Sequence, residues 1–190
     1  MGTDEPELST KTDEEIAVFV QQGESECFGL LVERYEAKIA RYARKFLFDS
    51  EDSKDLVQEV FLKAYINIQS FDPARKFSPW VYRIAHNEFI NAGKKRARIP
   101  VFTFDFDLLF PHPAASETAD GEANRRDMRH ILNQSLGKLD AKYREPLVLY
   151  YFEEMDYQEI AEILQIPVAT LGVRLKRGRA MLHKLLAQHV

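Results

Sequence analysis

Cys27 is the single cysteine among 190 residues, so neither an internal disulfide framework nor a CxxC metal site can form. The five histidines are scattered and no HExxH is present, which leaves no metal-ligand spacing. No apolar run approaches the roughly 20 residues of a bilayer-spanning helix, so no membrane insertion is expected. The N-terminus is acidic and lacks an apolar core, unlike a signal peptide. With eight glycines, eight prolines and no low-complexity tract, the bulk of the chain should fold. No nucleophile–base pair, metal set or phosphate-cradling loop is visible, so the chain does not read as an enzyme and no cofactor is expected. These absences describe a soluble, cytoplasmic protein.

Lys and Arg are missing altogether from residues 99–124, which hold five acids. The net charge of −4 hides this distribution. Residues 1–26 carry eight acids and one base, and residues 27–71 balance at seven each. Residues 72–98 carry seven bases against two acids, and residues 163–190 carry five bases and no acid. Residues 125–162, with six bases and eight acids, are mildly acidic. Two basic blocks therefore sit on an acidic molecule, and clustered cations attract phosphate whatever the total charge.

Periodicity of three and four residues dominates what is present. Thr12-Asp13-Glu14-Glu15 is a capping box ahead of Ile16, Phe19 and Val20. Phe28, Leu31, Val32, Tyr35, Ile39, Tyr42, Ala43 and Phe46 mark a long amphipathic helix. A second, from about residue 50 to 68, buries Leu56, Val57, Val60, Phe61, Ala64 and Tyr65. A third starts at Ser78-Pro79, a cap residue followed by proline at the first helical position. Helical spacing returns near Arg125, Asp140 offers a cap for a further helix containing Pro146, and Asp156-Tyr157-Gln158-Glu159 is another capping box. No pair of strands is evident. The expected fold is all-α: two small helical domains joined by a flexible linker. The divisions are an acidic tail at 1–11, a helical domain at 12–98, an acidic aromatic linker at 99–124 and a second domain at 125–190.

The stretch MDYQEIAEILQIPVATLGVRLKRGRAML reads as a helix-turn-helix, with a turn at Gln165-Ile166 and a second helix opened by Pro167. Ile160, Ala161, Leu164, Ile166, Leu171 and Leu175 would lock its two helices together. The second helix projects Arg174, Lys176, Arg177 and Arg179, with Thr170 near its start, which suits a major groove. Spacing alone also allows a three-helix bundle with a solvated basic face.

With the preceding YREPLVLYYFEE, this segment resembles the C-terminal domain of bacterial RNA polymerase sigma factors of the extracytoplasmic-function (ECF) group. That resemblance assigns Thr170, Arg174, Lys176, Arg177 and Arg179 to the double-stranded minus-35 promoter element. Family members usually carry GT followed by a basic residue and then Ser, the positions that Gly172 and Val173 take here. Here Ala169-Thr170-Leu171 is followed by Gly172 and Val173, and a turn glycine is replaced by Gln165. These departures bear on the promoter sequence that is read.

The resemblance extends over DSKDLVQEVFLKAYINIQSFDPARKFSPWVYRIAHNEFINAGKKRAR, similar to the sigma region that binds core polymerase and melts the minus-10 element. Asp55, Gln58, Glu59 and Leu62 form a polar stripe with one apolar member; alone it reads as a solvated face, and the resemblance makes it the dock for the β′ coiled-coil of core polymerase, whose β subunit is a further expected contact. Arg83, Asn87, Asn91 and Lys94 share a face, with His86 beside it and Lys95 at the end. Phe71, Phe77 and Trp80 interleave with Arg75 and Lys76 in the preceding loop, a composition that fits single-stranded nucleic acid. Trp80, beside Val81 and Ile84, reads as core. The resemblance implies that Arg83, Asn87, Asn91, Lys94, Lys95 and Phe77 take the single-stranded minus-10 element.

Within the linker, Phe102, Phe104 and Phe106 alternate with Thr103, Asp105 and Asp107. This suits an edge strand without a partner, a tether packed on a helical domain, or, by the resemblance, a ribbon threaded through polymerase. The resemblance also implies an anti-sigma partner. The sequence thus points to a sigma factor that directs core RNA polymerase to promoters and promotes melting. An operator-binding regulator, or an interaction protein that docks two basic faces on acidic partners, are the other readings.

Overall fold

The computed structural model describes residues 10–44, 50–95, 131–132 and 134–188; of residues 50–52 and 93–95 it describes the backbone alone. The helices run α1 (Asp13–Gln21), α2 (Phe28–Arg44), α3 (Ser50–Ile66), α4 (Phe77–Lys95), α5 (Ala141–Tyr151), α6 (Tyr157–Leu164) and α7 (Val168–Leu186). No strand occurs among the described residues, and the phenylalanine ribbon lies outside them.

Local chemistry sets the helix starts. Thr12 N–H donates to Glu15 Oε2 at 2.8 Å and Glu15 N–H to Thr12 Oγ1 at 3.2 Å, closing the expected box on α1. Asp156 does the same for α6 through Glu159, and Asp140 caps α5. The start of α4 differs from the sequence reading. The helix begins at Phe77, whose N–H donates to Glu14 Oε1 of α1 at 2.9 Å. A distant carboxylate thus does the work expected of Ser78.

The first four helices enclose Ile16, Leu31, Ile39, Tyr42, Val60, Phe77, Val81 and Phe89 among other buried side chains. Gln21 of α1 holds the loop before α4 by donating to the carbonyls of Ile68 and Phe71 at 2.7 and 2.8 Å. Tyr65, expected in the core, is 41% exposed. It rests edge-on against Phe28 at 5.2 Å between ring centroids, at the rim of the α2–α3 contact.

In the second half, α5 and α7 cross closely at Gly178. A Cβ there would lie 3.0 Å from the carbonyl oxygen of Tyr143 and 3.1 Å from Leu147 Cδ1. The α6–α7 turn places Gln165 at φ 53°, the left-handed region. Its Nε2 donates to Glu162 O at 2.6 Å, and Ile166 N–H closes on Ala161 O at 3.0 Å. Turn geometry normally given to glycine is therefore held by side-chain and backbone hydrogen bonds.

Buried side chains of both halves belong to one continuous apolar cluster, and α4 packs against α6.

Candidate nucleic-acid and partner interfaces

On α3, the buried side is formed by Val57, Val60, Phe61 and Ala64. Asp55, Gln58 and Leu62 lie on the exposed side and Glu59 is half-buried. Glu59 faces Lys63 at 3.5 Å, and Lys63 in turn binds Glu88 of α4 at 2.6 Å. Leu62 is 53% and Ile66 66% exposed, one turn apart on the same side. The apolar end of this stripe is larger than the sequence indicated. Tyr65 was taken into the core by its spacing, and nothing in a periodicity separates a rim residue from a buried one.

On α4, Asn87 and Asn91 are exposed and Arg83 is half-buried. Lys94 and Lys95 follow on the helical backbone, and their side chains lie outside the described residues. Phe77 does not join this face. It is 1% exposed, caged by Tyr35, Phe71 and Trp80 at centroid distances of 5.5, 5.4 and 5.4 Å. A ring so enclosed has no surface for a base in this conformation, and Trp80 is core as its neighbours indicated. His86 pairs with the Tyr42 hydroxyl at 3.1 Å. Burial pushes its pKa down to about 4, so it adds no cation at neutral pH.

The cations of this region already hold anions. Arg75 Nη1 binds Glu162 Oε1 at 3.2 Å, and Arg83 Nη1 lies 4.0 Å from the same oxygen. Lys76 Nζ binds Glu159 at 2.8 Å and faces Asp156 at 3.7 Å. All three acids belong to the capped start and outer side of α6. Beside them, Arg41 and Tyr82 converge on Glu153, whose carboxylate accepts at 3.0 and 2.8 Å. The sequence reading missed this seam, because its partners lie 71 to 112 residues apart.

On α7, Leu171, Leu175 and Gly178 are buried, and Lys176, Arg177 and Arg179 are exposed. Thr170 and Arg174 are half-buried. Arg174 is close enough to the buried Glu145 of α5 to stabilise its charge. Among the described residues no three of His, Cys, Asp or Glu gather to hold a metal, and no helix is long and apolar enough to cross a membrane.

Known proteins resemble this arrangement in sequence and in fold. Residues 31–99 match the family model for Sigma-70 region 2, and residues 129–182 match that for Sigma-70, region 4. The ECF RNA polymerase sigma factor SigW of Bacillus subtilis is 35% identical over 175 residues, which cover 88% of this chain and 92% of that protein. The ECF RNA polymerase sigma-E factor of Escherichia coli is 32% identical over 175 residues, 88% and 91% of the two chains. Among solved structures, CnrH in complex with the cytosolic domain of CnrY superposes with a TM-score of 0.71 at 28% identity, covering 95% of this chain and 100% of that one. With both sigma regions matched in order along one helical chain, and such relatives over most of its length, the protein belongs to the ECF group of RNA polymerase sigma factors.

Proposed function

We propose that this sigma factor, an initiation factor and not an enzyme, binds core RNA polymerase through Asp55, Gln58, Glu59 and Leu62 of α3. Its contacts there are the β′ coiled-coil and the β subunit, and Ile66 extends the apolar part of the stripe. Arg83, Asn87, Asn91, Lys94 and Lys95 of α4 take the single-stranded minus-10 element, joined by Arg75 and Lys76. Thr170, Arg174, Lys176, Arg177 and Arg179 of α7 take the double-stranded minus-35 element. Melting draws on the free energy of capturing unpaired bases on α4, with no covalent chemistry. Working with polymerase on chromosomal DNA makes the protein cytoplasmic.

One observation carries the minus-10 part of this reading. Arg75, Lys76 and Arg83 each face a carboxylate of α6, and cations that bind carboxylate oxygens also suit nucleic-acid phosphates. A consequence is that α6 and DNA compete, and the two halves must part before the minus-10 strand is held. An anti-sigma protein is the natural partner of the closed arrangement. The superposing structures include CnrH with CnrY, and RpoE with the anti-sigma factor NepR from Bartonella quintana.

The test is transcription by purified core polymerase on a genomic DNA library with and without the protein. Protein-dependent starts sharing two spaced upstream motifs support the reading. Absence of core binding overturns it and favours an operator-binding regulator.

A further inference from the structure

We infer that Val173 is a specificity-determining residue of α7, and that it recognises the 5-methyl group of a thymine in the upstream promoter element. This rests on the assignment of α7 to that element under the proposed function.

The argument begins with which side of α7 is free. Leu171, Leu175 and Gly178 are buried, with Gly178 against Tyr143 and Leu147 of α5. At 3.6 residues per turn, the side opposite them carries Ala169, Val173, Lys176, Arg177 and Ala180, all exposed. Val173 lies on the midline of that side and is 50% exposed, with the cations Lys176 and Arg177 one turn further on.

A helix in a major groove reads base edges mainly with the outward residues of its first turns. Here those positions offer little hydrogen bonding. Ala169 and Val173 have no polar side-chain atom, and Gly172 has no side chain at all. A Cβ at Gly172 would approach Tyr157 Cε2 only to 4.0 Å, so there is room for a side chain and none is supplied. Thr170 and Arg174 are half-buried at the flanks, with Arg174 near enough to Glu145 to act on its charge. The middle of the reading face is therefore a small apolar surface bordered by cations.

Of the groups displayed in the major groove, the thymine 5-methyl is the apolar one. Lys176, Arg177 and Arg179 supply the phosphate attraction that brings the helix to the duplex, and Val173 supplies discrimination by excluding water from that methyl. An apolar group facing the amino or carbonyl edge of another base would strip it of water with nothing in return.

The experiment selects the upstream duplex sequence from a random library with holoenzyme made from core polymerase and the full chain. Each thymine of the selected element is then replaced by deoxyuridine, which removes the methyl group alone. One thymine should show a loss of about four-fold in holoenzyme affinity, the effect expected from one buried methyl. With Val173→Ser that loss should disappear, and with Val173→Ile it should persist. Val173 is exposed, so both variants should keep the wild-type melting temperature, and a variant that does not is set aside in favour of the other. If the selected element lacks thymine, if every deoxyuridine is neutral, or if the loss is unchanged in Val173→Ser, the inference is overturned while upstream recognition by α7 stands. If no upstream element is selected at all, both fall.

Discussion

The hydroxyl of Tyr82 on α4 donates to the carboxylate of Glu153, after α5, across 2.8 Å. Arg41 of α2 reaches the same carboxylate at 3.0 Å, and the Glu153 side chain retains only 1% of its exposure. This enclosed acid ties the two halves together. Losing it leaves the Arg41 guanidinium and the Tyr82 hydroxyl without their shared carboxylate. Glu153→Ala should destabilise the closed chain by about 2–3 kcal/mol, less than a fully enclosed pair because Arg41 still reaches solvent. Tyr82→Phe should lose about 1 kcal/mol. Thermal unfolding and the radius of gyration check both, and melting and dimensions identical to the wild type would dismiss the tie.

Glu162 makes a different kind of contact, since Arg75 is 62% exposed at its side chain. Such a pair contributes at most about 1 kcal/mol. Its interest lies in competition with DNA. Glu162→Gln should raise the affinity of the free chain for a minus-10 single strand by up to about five-fold, the equivalent of that energy. Fluorescence anisotropy at several salt concentrations measures it. An affinity no different from that of the wild type would show that α6 does not compete.

The starts of α1 and α6 were legible from sequence because a capping box is a four-residue affair. Thr12–Glu15 and Asp156–Glu159 form as written. The burial of Phe77 was hidden for the opposite reason. An aromatic among cations is the same local pattern whether it waits for a base or fills a cage, and the cage depends on Tyr35, 42 positions earlier, and Phe71. Asp156 and Glu159 of α6 were legible as cap and first-turn residues, whereas Glu162, in the second turn, carried no local signal. That they also meet Arg75 and Lys76 depends on how the two halves pack, which no short spacing encodes.

Buried Glu145 and half-buried His86 give the protein opposing responses to pH. Burial raises the Glu145 pKa from 4.5 to about 7, against the pull of Arg144 and Arg174. The folded chain therefore holds this proton more tightly than the unfolded one. Its contribution is full below about pH 4.5 and is lost as pH rises through 7, a change of about 3 kcal/mol. His86 is lowered from 6.5 to about 4 by burial. Its contribution is full above about pH 6.5 and is lost on acidification towards 4, by a similar ~3 kcal/mol. Relative to the wild type, Glu145→Gln should gain stability between pH 4.5 and 7, and His86→Gln should gain it from 6.5 down to 4. Denaturant unfolding across pH 4–8 reads both differences, and a variant whose curve parallels the wild type refutes the assignment for that residue.

The two glycines of α7 should respond in opposite ways to alanine. At Gly172 a Cβ meets nothing nearer than Tyr157 Cε2 at 4.0 Å, so Gly172→Ala should gain about 1 kcal/mol from helix propensity. At Gly178 a Cβ would press on the Tyr143 carbonyl at 3.0 Å, and backbone of α5 cannot move aside as a side-chain tip can. Crowding of ~1–3 kcal/mol then outweighs the propensity gain, and Gly178→Ala should be less stable than the wild type. Melting temperatures that rise equally for both would mean that the α5–α7 crossing is looser than described.

Leu62 and Ile66 stand one turn apart on α3 with 53% and 66% of their surfaces in solvent, beside Asp55 and Gln58. Their exposure lets a docking role be separated from a folding role. Neither supports the α2–α3 or α3–α4 core, which Val57, Val60, Phe61 and Ala64 supply. Leu62→Asp should therefore leave the folding stability within about 0.5 kcal/mol of the wild type, read by thermal unfolding. The same change places a charge inside the proposed dock, where truncating or charging a central apolar anchor typically removes at least 2 kcal/mol of binding. Core polymerase affinity, measured by competition against another sigma factor, should fall by about 30-fold or more. Leu62→Met keeps the apolar surface and should restore it. If Leu62→Asp binds core as tightly as the wild type while remaining folded, the dock lies elsewhere on the chain.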